Sequence, residues 1–174
     1  MAKSSGKKAA KALSELSGSP SHLLHRALQR ALGIYGEEMG EDALTQRQYA
    51  LLVAVAAADL PSQTDLVSLT GIDRSTLAEL VARLIDKGLL ARERSESDGR
   101  AKAVSLTETG RTALDRARPR AKAADKRILA LVPKPRREAF LKLITRVGDA
   151  PEPPAKAKGL KKQKSGQAPS ADAS

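Results

Sequence analysis

The chain has no cysteine and no tryptophan, and one phenylalanine and two tyrosines make up its aromatic 2% over 174 residues. Without thiols there is no disulfide, no thiolate zinc site and no cysteine-based redox or peroxide sensing. With so few rings, a core has to be assembled from Leu, Ala, Val and Ile. Histidine is scarce as well, at His22 and His25 alone. No nucleophile elbow, phosphate-cradling glycine loop or HExxH stretch is present, so neither an enzyme nor a bound cofactor is expected. No apolar run reaches the length of a membrane span, and the lysine-rich start is not followed by the apolar segment of a signal peptide, so a cytoplasmic protein is expected.

Positive charge, by contrast, is abundant: 31 Lys and Arg against 20 Asp and Glu, a net of +11. Residues 1–18 carry Lys3, Lys7, Lys8 and Lys11 against Glu15, net +3. Residues 150–174 carry five lysines against Glu152 and Asp172, again net +3, leaving +5 for the part between. Both ends are poor in bulky apolar residues and rich in Ala, Ser, Gly, Pro and Lys, so they are expected to be disordered tails around one domain at 19–149. Such tails serve either nonspecific phosphate attraction or solubility.

The domain is organised around residues 62–107. After Pro61, Ser62 can cap a helix whose first turn holds Asp65, with Leu66, Val67 and Leu69 as its buried stripe. Gly71 stands where that helix needs a left-handed residue to stop. Asp73 caps the next, in which Leu77, Leu80, Val81, Leu84 and Ile85 recur along one face. The opposite face carries Arg74, Ser75, Thr76, Glu79 and Arg83, with Ala78 and Ala82 leaving room for close approach. Such a face suits a major groove, although any helical hairpin with a glycine turn shares the pattern.

Residues 88–107 separate the two possibilities. Gly88 closes the helix, Leu89 to Arg94 can run out as a strand, the turn-rich 95–99 reverses it, and Ala101 to Thr107 can return. A hairpin directly behind a candidate recognition helix is a wing. Arg100 and Lys102 stand near its tip, with Arg92 and Arg94 in the outgoing strand, and a guanidinium there can enter a narrow minor groove. Asp98 would orient Arg100. The fold class is therefore mainly α with a small β-hairpin.

These residues carry a resemblance. The stretch from Leu44 to Leu114, above all Leu84-Ile85-Asp86-Lys87-Gly88-Leu89-Leu90, then Asp98-Gly99-Arg100 and Leu106-Thr107-Glu108-Thr109-Gly110, resembles the MarR (multiple antibiotic resistance regulator) family of bacterial transcription factors. The resemblance implies a winged helix-turn-helix at about 44–107 and a dimer built by helices at 19–40 and 108–148. It also implies a pseudo-palindromic operator and release of DNA when a small, often aromatic or anionic, ligand binds. The start at 19–25 and the run from Ile72 to Leu77 look similar to members that control aromatic-acid catabolism, some of which respond to aromatic acyl-CoA thioesters.

The flanking helices fit that frame. Ser19-Pro20-Ser21 starts the first, with Leu24, Leu28, Ala31, Leu32 and Tyr35 along one side and Leu23, Ala27 and Ile34 widening it. So wide an apolar face anticipates contacts beyond its own domain. Glu37, Glu38, Gly40, Glu41 and Asp42 read as its end and a solvated connection. Thr45 and Gln48 form a capping box for the next helix, at 45–58. Beyond the wing, Thr107 or Thr109 can start a long helix through Val132, kinked at Pro119, with Ala113, Leu114, Ala117, Ala121, Ala124, Ile128 and Leu131 inward. Arg111, Arg116, Arg118, Arg120, Lys122, Lys126 and Arg127 crowd its outer side. A last helix from Arg136 to Val147 has an apolar stripe with no partner in so small a domain, and pairing with a second copy is the economical solution.

Under the resemblance, Gln63, Thr64, Arg74, Ser75, Thr76, Glu79, Arg83, Arg94, Arg100 and Lys102 contact DNA, and the effector pocket lies between the first helices and the one after the wing. His22, His25, Arg26 and Tyr49 are candidates to line it. His22 and His25, three apart, could also bind a metal, but further ligands are lacking nearby and no metal site is expected; packing or interface polarity is the plain alternative, as a core role is for Tyr49. The expected function is a ligand-responsive, sequence-specific repressor, with a nonspecific architectural DNA binder that uses the basic tails as the alternative.

Overall fold

The computed structural model describes residues 13–41, 43–58, 60–94 and 102–150. In chain order it has α1 (Pro20–Met39), α2 (Gln46–Ala57), α3 (Gln63–Thr70), α4 (Arg74–Asp86), β1 (Leu90–Arg94), β2 (Lys102–Leu106), α5 (Glu108–Ala130), a 3-10 turn (Lys134–Arg136) and α6 (Arg137–Gly148). Residues 13–17 are also helical, where composition alone implies part of a disordered tail. Leu13, Glu15 and Leu16 are good helix formers, and a Ser17 hydroxyl donating to the Ser14 carbonyl supports the turn.

The helix starts are chemically capped as the sequence implies. Ser19 accepts from His22 N–H ahead of Pro20, Thr45 and Gln48 form a reciprocal box, and Ser62 and Asp65 form another. Gly71 ends α3 in the left-handed region at φ 67°. After α4, Gly88 adopts φ 67°, its N–H donating to the Ile85 carbonyl at 2.8 Å while Leu89 N–H donates to that of Leu84 at 2.9 Å. These two bonds form a Schellman closure, which turns the chain sharply into the hairpin.

One core fills the space between α2, α3, α4, the hairpin and the start of α5. Leu51, Leu52, Leu66, Leu77, Val81, Leu84, Leu90, Val104 and Leu114 are its fully enclosed members. In α3 the expected stripe shrinks to Leu66: Val67 is half-buried and Leu69 is 60% exposed, because only eight residues separate Ser62 from Gly71 and a single turn meets the core. A second, smaller core joins α1 to α5 through Tyr35, Met39, Ala117, Ala121 and Ala124. The alanines let the two helix backbones approach closely.

The hairpin is antiparallel, with Leu90 opposite Leu106, Arg92 opposite Val104 and Arg94 opposite Lys102. The hairpin begins at Leu90 and ends at Leu106, one residue inside the Leu89 and Thr107 that the alternation implied, and Ala101 lies outside the described residues. Thr107 explains one boundary. Its hydroxyl donates to the Gly88 carbonyl at 2.6 Å and accepts from Gly110 N–H at 2.9 Å, so it is the cap of α5 and not a strand residue. α5 runs as one helix through Pro119 and stops at Ala130, and α6 begins one residue later than expected because Lys134–Arg136 forms a 3-10 turn after Pro133.

The arginine-rich side of α5 is not wholly solvated. Arg120 Nη1 donates to the Met39 carbonyl at 2.6 Å, satisfying the C-terminal end of α1. Arg127 donates to Glu38 and Glu37 at 2.6 Å each, so those carboxylates belong to the last turns of α1 and clamp it to α5 instead of marking a solvated connection. In the single chain, Leu24, Leu28, Leu143 and Val147 remain exposed, and α6 buries none of its residues.

Candidate nucleic-acid interface and adjoining cavity

α3 and α4 form the helix-turn-helix, and α4 exposes the face anticipated for base contact. Arg74, Ser75, Glu79 and Arg83 are exposed and Thr76 is half-buried, while Leu77, Val81 and Leu84 seal the opposite side. Asp73 fixes where the helix begins. Its carboxylate accepts from Thr76 N–H at 2.9 Å and from the Ser75 hydroxyl at 2.7 Å. These bonds, the Thr76 backbone one foremost, push its pKa down to about 2. In α3, the Asp65 carboxyl is likewise held below its ordinary value, mainly by the Ser62 hydroxyl.

Two pairs of expected DNA contacts are already in touch. Arg74 Nη2 donates to Thr64 Oγ1 at 3.1 Å, joining the first turns of the two helices, and Gln63 is half-buried beside it in sequence. Arg83 meets Glu79 at 3.2 Å, one turn apart on the exposed face, so Glu79 pre-positions a guanidinium that can otherwise sweep widely. The backbone of Arg94 and Lys102 pairs at the outer end of the hairpin. Asp98 and Arg100 lie outside the described residues, so the wing tip is an expectation from sequence.

The wing base, the end of α4 and the start of α5 meet at Leu89. Its carbonyl accepts from Thr107 N–H at 3.2 Å and lies against Gly110, where an added Cβ would overlap that carbonyl and come within 3.3 Å of Leu106 Cδ2. Only glycine lets α5 start there. The recognition helix, hairpin and long helix are thereby coupled through backbone contacts.

A cavity of about 640 Å³ opens between α1, α2, the end of α3 and α5, within the size range of small-molecule sites. Tyr35 and Tyr49 stand in its wall with ring centroids 6.4 Å apart and planes at 52°. The Tyr35 hydroxyl is buried and has no hydrogen-bond partner. Burial first, then the neighbouring Tyr49 and Asp125, pushes its pKa up to about 12. Of the four effector candidates, Tyr49 lines this cavity; His22, His25 and Arg26 lie nearer the start of α1 and are not among its lining residues. Sequence reasoning missed Asp125 and treated Tyr35 as part of a packing face. The signal was present in the spacing of Leu28, Ala31, Leu32 and Tyr35, and in Asp125 following the inward Ala117, Ala121 and Ala124.

A second recess, about 540 Å³, lies between the ends of α1 and α4, the start of α2 and α5, with Lys87, Arg116 and Arg120 around Met39, Leu44 and Leu89. Among the described residues no cluster of three His, Cys, Asp or Glu could hold a metal ion, and no helix is long and apolar enough to cross a membrane.

The MarR family model matches residues 44–101, which run from α2 through β1 and stop before β2. The HTH-type transcriptional repressor NicR of Pseudomonas putida is 30% identical over 131 residues, 75% of this chain and 83% of that one. A structure of Bordetella bronchiseptica BpsR, described as regulated in DNA binding by 6-hydroxynicotinic acid, superposes with a TM-score of 0.73 at 30% identity, covering 78% of this chain and 96% of that one. The repressor CouR bound to a 23-mer DNA duplex gives 0.69 at 28% identity, covering 76% and 94%. CouR from Rhodococcus jostii RHA1 bound to p-coumaroyl-CoA gives 0.65 at 27% identity, covering 77% and 94%. With its exposed recognition face, its hairpin locked behind it and relatives of this similarity along three quarters of its length, the chain belongs to the MarR family of winged-helix transcriptional regulators.

Proposed function

We propose that this protein is a dimeric, sequence-specific DNA-binding repressor that releases its operator when a small aromatic molecule occupies the cavity between α1, α2 and α5. It acts in the cytoplasm on the nucleoid, and not as an enzyme. The observation that carries the reading is the exposed face of α4, polar and cationic, fixed in register with the hairpin through Gly88, Leu89, Thr107 and Gly110.

In this reading Arg74, Ser75, Thr76 and Glu79 reach base edges in the major groove, with Arg83 on phosphates or bases. Gln63 and Thr64 meet phosphates at the start of α3, Arg94 and Lys102 flank the groove, and Arg100, oriented by Asp98, enters the minor groove. The uncovered apolar side chains of α1 and α6 support a two-fold dimer, which spaces two recognition helices about one DNA turn apart. The aromatic walls of the cavity, the regulation of BpsR by 6-hydroxynicotinic acid and the CouR relative bound to p-coumaroyl-CoA support the effector. A ligand wedged between α1 and α5 would bias the separation of the two reading heads and so lower operator affinity.

The test is a binding assay on a pseudo-palindromic site selected from random DNA, run against competitor DNA at about 200 mM salt, where contacts limited to phosphate fail. Retained binding that Arg100→Ala and Arg74→Ala abolish supports the repressor. Binding lost equally from all sequences as salt rises leaves a nonspecific architectural protein that uses its basic tails.

A further inference from the structure

We propose that Glu79 and Arg83 act as one unit that reads a single C·G base pair in each half of the operator. The Glu79 carboxylate accepts from the cytosine amino group, and the Arg83 guanidinium donates to the paired guanine. The proposal rests on the reading of α4 as the helix that enters the major groove, and it assigns the base pair selected by the middle of that helix.

The position of Glu79 on α4 singles it out. Leu77, Val81 and Leu84 are sealed against the core and define the inner side of the helix. At about 100° of turn per residue, Glu79 lies within about 15° of the direction opposite their mean, so it projects furthest from the domain. Ser75 and Ala82, its short neighbours on that side, leave its carboxylate uncovered, and Arg83 is the long side chain beside it. The pair meets at 3.2 Å while the two side chains stay 70% and 69% exposed. Other polar groups of this face turn back toward the protein: the Ser75 hydroxyl donates to Asp73, and Arg74 donates to Thr64.

The groove offers that carboxylate few partners. Between two rows of phosphates it is repelled from both sides, and phosphate oxygens are acceptors only, so the backbone of DNA gives Glu79 nothing. The base edges present two kinds of amino donor there, on cytosine and on adenine. Arg83 decides between them, because its fork takes both O6 and N7 of guanine, whereas thymine offers one oxygen beside a methyl group. The edge of a C·G pair sets an amino donor next to two acceptors, and the Glu79 and Arg83 pair sets an acceptor next to a fork of donors. The two patterns are complementary, and the pair carries no net charge into the groove. Guanine or thymine in place of the cytosine turns a carbonyl oxygen toward the carboxylate, so Glu79 contributes discrimination more than strength. A two-fold dimer repeats the contact once per half-site. Neither residue stands on the exposed apolar sides of α1 and α6 that the second copy would cover.

The probe is a duplex selected from random sequence by the full-length protein, with each base pair of the half-site then replaced in turn, symmetrically in both halves. Fluorescence anisotropy on this panel is expected to show one C·G pair whose replacement weakens binding roughly 5- to 100-fold. Glu79→Ala and Arg83→Ala should each flatten the preference at that same pair, and the double variant should lose no more there than the larger single loss. Glu79→Gln, whose carboxamide matches adenine, should move the preference toward A·T. Both residues are at exposed helix positions, and thermal melting checks that each variant folds. Weakening by Glu79→Ala spread evenly over the panel would make Glu79 a support for Arg83 and overturn the assignment. Preferences lost at two different base pairs, or a C·G preference untouched by Glu79→Gln, would overturn it too. In each of those results the wild type still binds its selected duplex specifically, so the reading of α4 survives; a wild type that binds all duplexes alike removes both.

Discussion

Replacing Gly110 by alanine tests the junction on which the reading head is built. At an ordinary helix position this change stabilises by about 0.5–1 kcal/mol, because alanine loses less backbone entropy. At Gly110 the new Cβ would overlap the Leu89 carbonyl and press on Leu106. That carbonyl cannot retreat freely: it accepts from Thr107 N–H, and its residue is pinned one step after the left-handed Gly88. Overpacking of this kind costs roughly 1–3 kcal/mol, enough to outweigh the entropic gain. For a domain of this size the expected fall in Tm is roughly 2–10 °C. Gly36→Ala is the control, since nothing lies within 4 Å of its added Cβ, and it should be neutral or stabilising. Urea unfolding followed by helical circular dichroism, at matched protein concentration because subunit association contributes to stability, reads both. A Gly110→Ala protein as stable as the wild type would refute the argument that backbone contact, and not side-chain packing alone, sets where α5 begins.

The same geometry sets the response to pH and to loss of a single groove contact. The depressed carboxylates of Asp73 and Asp65 stabilise the folded state above their unfolded pKa near 4. That contribution is lost as pH falls toward the folded value, about 2 for Asp73, so Asp73→Asn should flatten the acid limb of the stability curve, measured by urea unfolding between about pH 4 and 2. The raised pKa of Tyr35 has the opposite sense: stability is full below pH 10 and falls as pH rises toward 12, so Tyr35→Phe should blunt alkaline unfolding and remove one late-titrating phenol from the ultraviolet absorbance. At neutral pH the same change, deleting a buried hydroxyl without a partner, should leave the protein equally stable or up to about 1 kcal/mol more so. Finally, Arg74→Ala should weaken operator binding by about 1–3 kcal/mol and relax sequence preference at the base it meets; a loss equal across all sequences would make Arg74 a phosphate contact instead.

The features that could be read from sequence are those settled within one turn of chain. Thr45 with Gln48, Ser62 with Asp65, Asp73, and the glycines at 71 and 88 each act on neighbours three or four residues away, and all appear where their chemistry places them. The hairpin base was legible for the same reason. Contacts between distant segments were not. Nothing in the sequence pairs Arg127 with Glu37 and Glu38, or Arg120 with the Met39 carbonyl, because arginines at successive turns of a helix look alike until a partner helix is positioned. The lining of the cavity between α1, α2 and α5 was legible only in part: Tyr49 drew notice because rings are rare here, whereas Asp125 resembles any other exposed helix acid. Leu69 and the helical 13–17 were misjudged because apolar spacing specifies a face, not what covers it.

The bare stripe on α6, where Leu143 is 62% and Val147 59% exposed, bears on how the repressor is counted in the cell. If two chains must combine before either helix has anything to rest against, the stock of working repressor varies with the square of the number of chains at low abundance. A modest drop in synthesis would then open the regulated genes abruptly, and a single defective partner would disable a sound one.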